Sequence, residues 1–425
     1  MAQPHGGWLP TIRAMSDVAL PSSCDVLVVG AGPAGGACAQ MLSRGGLRTV
    51  LVDQHDFPRD KTCGDGLIPD AHAALRRLGV YDEVMAAAQP AQHVACIGPR
   101  GGRVDVPGSV AVLPRKVLDH ILVRAAQRAG ASLHTPWRFD APLVEGERVV
   151  GARLKSAGQV QEVRAPWVVL ATGAPPQAMI ASDLCQRRTP TGIALRGYVH
   201  NPAMVGRIRA LEIVWHKRLK HGYGWIFPCP GGMFNIGVGL ADCFSLAGTQ
   251  RLHMQDVNLR QVFDAFCEIY APARELMRTG TLQGDLKGAP LRCSLDGALY
   301  TRPGMLATGE AIGSTYDFSG EGVGKAMQTG MLAAAALIKG HEQKLGDGAV
   351  REAYEASIRE LQPRFELYRK ASRVNAHPWL ADLVIWRARK SPRILRRMSG
   401  VLEETANPGN LVSARGIAKL FLPIR

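Results

Sequence analysis

Apolar and polar positions divide the chain into stretches of different period. Val26-Leu27-Val28-Val29 is an unbroken apolar, β-branched run, as expected of a strand buried on both faces. Gly30-Ala31-Gly32-Pro33-Ala34-Gly35 follows, and then Ala37, Ala39, Met41 and Leu42 recur at helical spacing until Gly45-Gly46 stops them. Thr49-Val50-Leu51-Val52 is a second apolar run, ending at Asp53. The pattern predicts a βαβ crossover. A further helix is predicted from Arg115 to about Arg128, where Leu118, Ile121, Leu122 and Ala125 share one face before Gly130. Strand pairs around 143–154 and 159–163 predict hairpins, and residues 167–173 and 305–310 predict two more buried strands running into glycine turns. Residues 193–240 alternate and are rich in Val, Ile, Trp and Tyr, which predicts an antiparallel sheet. A helix from about Gly322 to Lys339 comes next, and the remainder is helical and increasingly basic.

Composition narrows the class. The chain has 425 residues, 46% apolar and 20% charged, which excludes whole-chain disorder or coiled coil and suits an elaborated α/β body. Lys and Arg number 51 against 36 acids, a net charge of +15 that suits phosphates, a membrane surface or nucleic acid as partner, or serves solubility alone. Its 9 cysteines include no CxxC pair, so a zinc or iron–sulfur site is not expected. Their scattered spacing fits a reducing, cytoplasmic setting. Residues 1–23 lack the apolar core of a signal peptide and are expected as a disordered extension, with Met15 an alternative start. No apolar window is long enough for a transmembrane helix.

The first crossover carries the clearest chemistry. Gly30 permits a tight turn, Gly32 lets backbone approach a pyrophosphate, and Gly35 allows close helix–strand contact. The helix start behind them offers free N–H groups and a positive dipole end to phosphates. Asp53, 23 residues after Gly30, is placed to accept hydrogen bonds from ribose hydroxyls. A glycine turn without a ligand would leave Asp53 unexplained.

Four pieces stand in one order: residues 30–35 with Asp53, Lys61-Thr62-Cys63-Gly64-Asp65-Gly66-Leu67, Tyr223-Gly224-Trp225-Ile226-Phe227-Pro228, and residues 309–313 through 320–323. This arrangement resembles the geranylgeranyl reductase family, FAD-dependent enzymes of the p-hydroxybenzoate-hydroxylase-like class. The resemblance implies a Rossmann-like FAD-binding domain (24–185 and 285–340), an inserted antiparallel-sheet substrate domain (186–284) and a helical basic C-terminal region (341–425). It implies FAD held by Gly30, Gly32, Ala34, Gly35 and Asp53, with Arg115 along the phosphates and Glu310 at the ribityl chain. Gly64, Gly173, Gly313 and Gly320 belong to turns around the flavin, and Gly322-Val323 would present N–H groups to its pyrimidine edge. Tyr223, Trp225 and Phe227 would line the substrate cavity. Three positions depart from the family pattern: Glu310 for Asp, Thr172 for the Asp of a second Asp-Gly pair, and Asp317 for proline.

Several positions carry two readings. Cys63 is a nucleophile or a small residue packing the turn; Asp317 is a proton donor or a turn residue bonding its own backbone. Tyr223, Trp225 and Phe227 alternate on one strand face and form a cavity wall or plain core, Tyr223 being counted also among the catalytic candidates. In the sequence no carboxylate or cysteine stands at ligand spacing from His216 and His221, so no metal is expected. Six basic residues and no acid between Val384 and Arg397, with Trp379 and Trp386 alongside, form a membrane-surface element or a solvated face. Pro392 divides this stretch into two short helices. No nucleic-acid module is present in the sequence. The leading expectation is reduction of carbon–carbon double bonds in an isoprenoid or other lipophilic substrate, fed by NADPH or a reductase protein. A flavin monooxygenase or halogenase is the alternative, although residues 62–115 contain no lysine to carry a halogen.

Overall fold

Four consecutive apolar residues, three of them β-branched, favour a strand with no solvated face, and Val26–Val29 is fully buried inside a six-stranded sheet. It pairs in parallel with Thr49–Val52 on one side and Trp167–Leu170 on the other. Ser132–His134 and Met305–Ala307 extend the parallel sheet, and the edge strand Thr301–Arg302 runs antiparallel. The computed structural model describes residues 19–241 and 257–412. The crossover helix Pro33–Arg44 begins with proline, whose missing N–H costs nothing at that position. The helix Val323–Glu342 lies against it so closely that a Cβ on Gly330 would stand 2.2 Å from the Ala34 carbonyl oxygen.

A nine-stranded sheet forms the second layer. Gly192–His200, Met233–Ala241, Gly222–Pro228 and Leu211–Val214 pair antiparallel in succession. Leu211–Val214 then joins Gln89–Ile97 in parallel, and Arg103–Val112 and Gly66–Leu67 follow. These last three strands lie within 24–185, so that stretch contributes to the large sheet as well as to the parallel one. Apolar alternation fixes a strand's period but not its partner, and this partner comes far downstream. One face of the large sheet is covered by helices Leu259–Ile269 and Ala271–Thr279; helices near the C-terminus cover part of the other.

The hairpins form a separate three-stranded sheet, Arg138–Glu145, Arg148–Ser156 and Gln159–Arg164. Its edge holds the chain before the first strand: the Arg164 N–H donates to the Ser22 carbonyl at 2.8 Å, and Leu20 is buried. The expected disordered extension therefore does not reach residue 23. Residues 1–18, with Met15, lie outside the described residues. After the long helix Asp347–Ala371, the chain forms the short helices Trp379–Ala388 and Pro392–Leu402, divided at the proline as predicted. Among the described residues no helix is long and apolar enough to cross a membrane.

Candidate active site

A cavity of about 640 Å³ opens where the C-terminal ends of the parallel strands face the large sheet. Its polar end is built on the first crossover. Gly30 adopts φ +99, and a Cβ there would lie 2.3 Å from the Ala171 carbonyl oxygen, so the turn tolerates only glycine. Gly32, Ala34 and Asp53 line this end. The Asp53 carboxylate accepts from the Ala31 N–H at 2.8 Å and the His55 N–H at 3.0 Å, which binds the end of one strand to the glycine turn. Gly35 lies behind the cavity, where a Cβ would meet the Gly30 carbonyl oxygen at 1.7 Å. Its part is helix–strand packing.

Two guanidinium groups converge above Gly32. Arg115 and Arg59 each come within 3.7 Å of where a Gly32 Cβ would stand. The buried Asp119 holds both, bidentate to Arg115 at 2.6 and 2.8 Å and to Arg59 at 3.1 Å. Arg59 also reaches Asp53 at 3.4 Å. Arg115 was expected here; Arg59, in the loop just after Asp53, was not, because it belongs to no motif. The cradle between two cations and a helix N-terminus suits a diphosphate. The Thr172 hydroxyl on the same wall is buried without a partner, an open contact for a bound group.

The far wall comes from the large sheet. Tyr223, Trp225 and Phe227 line the cavity, while Ile226 and Gly224 turn to the opposite face against Phe266. Trp225 donates from its indole to Asn235 at 2.9 Å, and Asn235 donates to the Cys63 carbonyl at 2.7 Å and to Asp65 at 2.8 Å. Tyr198 and the Arg115 backbone N–H also donate to Asp65, so this buried carboxylate pins the 63–66 turn to both layers. Burial nevertheless pushes the Asp65 carboxyl up to about 6. Cys63 and Gly64 line the cavity beside this network. Burial raises the Cys63 thiol, with Arg115 drawing it back in part, so at neutral pH the setting offers a thiol rather than a thiolate nucleophile.

The third wall is the turn before Val323–Glu342. Glu310, Gly320, Gly322 and Val323 line the cavity, as does Gly173 opposite. Gly313 does not; it adopts φ +81 against the Cys293 carbonyl and shapes the turn from behind. Tyr223 donates its hydroxyl to the Ser319 carbonyl and so ties the sheet to this turn. Asp317 needs correcting. It points away from the cavity into a buried site with Ser294 and Ser372, where burial raises its carboxyl to about 6. Besides Glu310, the acid Glu321 lines the cavity here, read in the sequence only as part of a glycine motif. It also lines a second, apolar cavity of about 140 Å³ under the C-terminal helices, with Trp215, Phe318, Val384, Ile385 and Met398. Among the described residues no cluster suited to a metal ion occurs.

Comparison with known proteins agrees with this geometry. An FAD binding domain family matches residues 23–184. The menaquinone reductase of Mycolicibacterium smegmatis is 31% identical over 343 residues, covering 74% of this chain and 76% of that protein. Digeranylgeranylglycerophospholipid reductase 1 of Methanopyrus kandleri is 25% identical over 388 residues, covering 89% of this chain and 98% of its own length. Among solved structures, a geranylgeranyl bacteriochlorophyll reductase-like protein from Thermoplasma acidophilum superposes with a TM-score of 0.71 at 22% identity, over 94% of this chain and 96% of that one.

Proposed function

The chain belongs to the geranylgeranyl reductase family of FAD-dependent oxidoreductases, and from that premise we propose that it saturates a carbon–carbon double bond in an isoprenoid or similarly lipophilic substrate. The supporting observation is the pairing of two unlike cavities. The larger changes from charged walls to aromatic ones and meets the smaller apolar one along Val94, Ile213, Tyr223, Ser319, Glu321 and Leu402. A compact polar substrate has no use for the second cavity. A polyprenyl tail does, since each buried methylene favours binding by about 0.8 kcal/mol.

Arg59, Arg115 and the Gly32 turn would hold the FAD diphosphate, Asp53 the adenosine ribose and Glu310 the ribityl chain. The N–H groups of Gly322 and Val323 stabilise negative charge at the flavin's edge. When bound and reduced, FAD supplies a hydride from its N5 atom, with electrons delivered by NADPH or a reductase protein. An isolated alkene accepts hydride poorly, so Tyr223, Trp225 and Phe227 must fix the chain in register and exclude water. The C-terminal helices roof the apolar cavity and expose Trp379, Trp386, Arg389, Lys390, Arg393, Arg396 and Arg397 outward. That outer face docks on an anionic lipid surface, from which the substrate enters.

The experiment is anaerobic single turnover. Purified holoprotein, reduced with dithionite, is mixed with menaquinone or geranylgeranyl lipids in detergent, and products are weighed by mass spectrometry. A gain of two hydrogens per turnover is expected. Unchanged saturation of every lipid offered, or an oxygenated product formed only in air, would reject the reading and favour monooxygenase chemistry.

A further inference from the structure

Saturating an alkene takes a proton as well as a hydride, and Asp317 faces away from the cavity. Another acid stands on the wall shared by the two cavities. Glu321 stands on the turn leading into Val323–Glu342, its backbone carbonyl accepting from the Tyr316 N–H at 2.8 Å. It lines the flavin-side cavity and the apolar cavity alike. A lipid tail passing from one to the other therefore crosses Glu321.

The groups behind it decide its charge. Asp70, on Pro69–Leu78, lies over the start of Val323–Glu342, where a Gly324 Cβ would be 2.3 Å from its carboxylate. Both Asp70 oxygens are buried without a hydrogen bond, and the buried Lys325 ammonium is 3.6 Å away. Lys325 is closer to Glu404, at 2.7 Å; Glu404 also takes Arg364 at 2.6 Å and the Tyr316 hydroxyl at 2.9 Å. Tyr368 packs on Tyr316 beside this group. Three carboxyls thus share one buried ammonium and one half-exposed guanidinium, and Glu404 holds both cations. With so little counter-charge left, the others keep protons more readily. Burial first, and then Asp70 and Glu404, raise the Glu321 carboxyl to about 8, while Ser319 and Lys325 draw it back in part. Asp70 rises to about 6, and Glu404 is lowered by Lys325 despite its burial.

We infer that Glu321 is the acid that protonates the substrate alkene, a role that rests on the reductase reading above. As the π bond breaks, the hydride and its electron pair join one carbon. The Glu321 O–H bond breaks and its proton joins the other carbon. The flavin is left oxidised and Glu321 ionised, to be reprotonated from water before the next turnover. The carboxyl begins neutral, so the apolar tail meets no bare charge at the junction.

The test compares Glu321→Gln and Glu321→Asp with the wild-type holoprotein. Flavin content and circular dichroism report folding. Single-turnover alkene reduction should fall at least ~100-fold in E321Q, within the usual range for losing a general acid, with partial recovery in E321D. The active form is the protonated one, so the wild-type rate should fall as pH rises through about 8, and this limb should vanish in E321Q. An independent readout is isotope-edited infrared spectroscopy, which should find a protonated carboxyl at about pH 7 that is lost above pH 8 and absent from E321Q. Wild-type turnover in E321Q, or an ionised Glu321 at neutral pH, overturns the inference and leaves the reductase reading standing. A wild type inert toward every alkene removes that reading and the acid's role with it. If E321Q loses its flavin, the E321D rate and the wild-type infrared titration decide between these outcomes.

Discussion

At its polar end, the proposed nucleotide end, the cavity is bounded by main chain and fixed charge, whereas at its aromatic end, the proposed lipid end, it is bounded by side-chain bulk. Gly30, Gly32 and the start of Pro33–Arg44 bring backbone within reach of a phosphate, and Asp119 fixes the angle of two arginines over it. Opposite stand Tyr223, Trp225 and Phe227, with Trp215 and Phe318 beyond them and Glu321 at the junction. The first end must reproduce one ligand's geometry in each atom. The second need only exclude water and match a width, a looser demand on each residue.

The largest expected effect falls on the backbone end. Gly35→Ala would place a methyl group 1.7 Å from the Gly30 carbonyl oxygen, within the strand–helix turn itself. Neither partner can move, because both are main chain in the core. We expect a loss of about 3 kcal/mol or more, with little flavin retained after purification. Thermal melts and flavin absorbance measure both. A G35A protein of wild-type stability that keeps its flavin would show the nucleotide end to be as tolerant as the lipid end.

Arg115→Ala tests the charged part of the same end. Removal leaves Asp119 buried with Arg59 as its remaining partner, at 3.1 Å. Breaking a buried pair costs about 3–5 kcal/mol when nothing replaces it, so with Arg59 present a loss of about 2 kcal/mol is expected. Flavin affinity should fall with it. Arg115→Lys should restore charge but not the bidentate geometry. Equal flavin affinity in R115A, R115K and wild type, by fluorescence titration, would place the diphosphate elsewhere.

The two ends also differ in how far the sequence disclosed them. The glycine turn and Asp53 are legible because a βαβ crossover encodes its ligand within a few tens of consecutive residues. The aromatic wall is legible by alternation alone, since period two puts Tyr223, Trp225 and Phe227 together whatever lies opposite. Direction across a turn is not encoded this way: Asp317 and Glu321 flank one loop, yet one carboxyl is sealed against serines while the other lines both cavities. Nor is strand partnership: Gln89–Ile97 pairs with Leu211–Val214 more than a hundred residues on, and no local pattern in either strand names the other. Arg59 stands in a loop that ends no pattern, and only the fold brings it beside Arg115.

The smallest effect on stability, and the sharpest separation of the two ends, is expected from the outer face of the roof. Trp379 and Trp386 are 58% and 43% exposed, unusual for side chains of that size, while Val384 and Ile385 of the same helix close the apolar cavity beneath. Replacing both tryptophans by alanine removes little packing, so each should change stability by no more than about 0.5 kcal/mol and leave flavin affinity unaltered. Turnover of a lipid presented in detergent should also be unchanged, because neither residue lines either of the two cavities described above. Binding to vesicles containing anionic phospholipid should weaken several-fold, and turnover of a vesicle-borne lipid should fall in proportion. The arginines around them make the remaining binding salt-sensitive, whereas the tryptophan contribution should persist at high salt. Sedimentation with vesicles at two ionic strengths resolves these contributions. Unchanged sedimentation in the double variant would make the exposed indoles an ordinary solvated face, and the lipid would have to reach the flavin by another route.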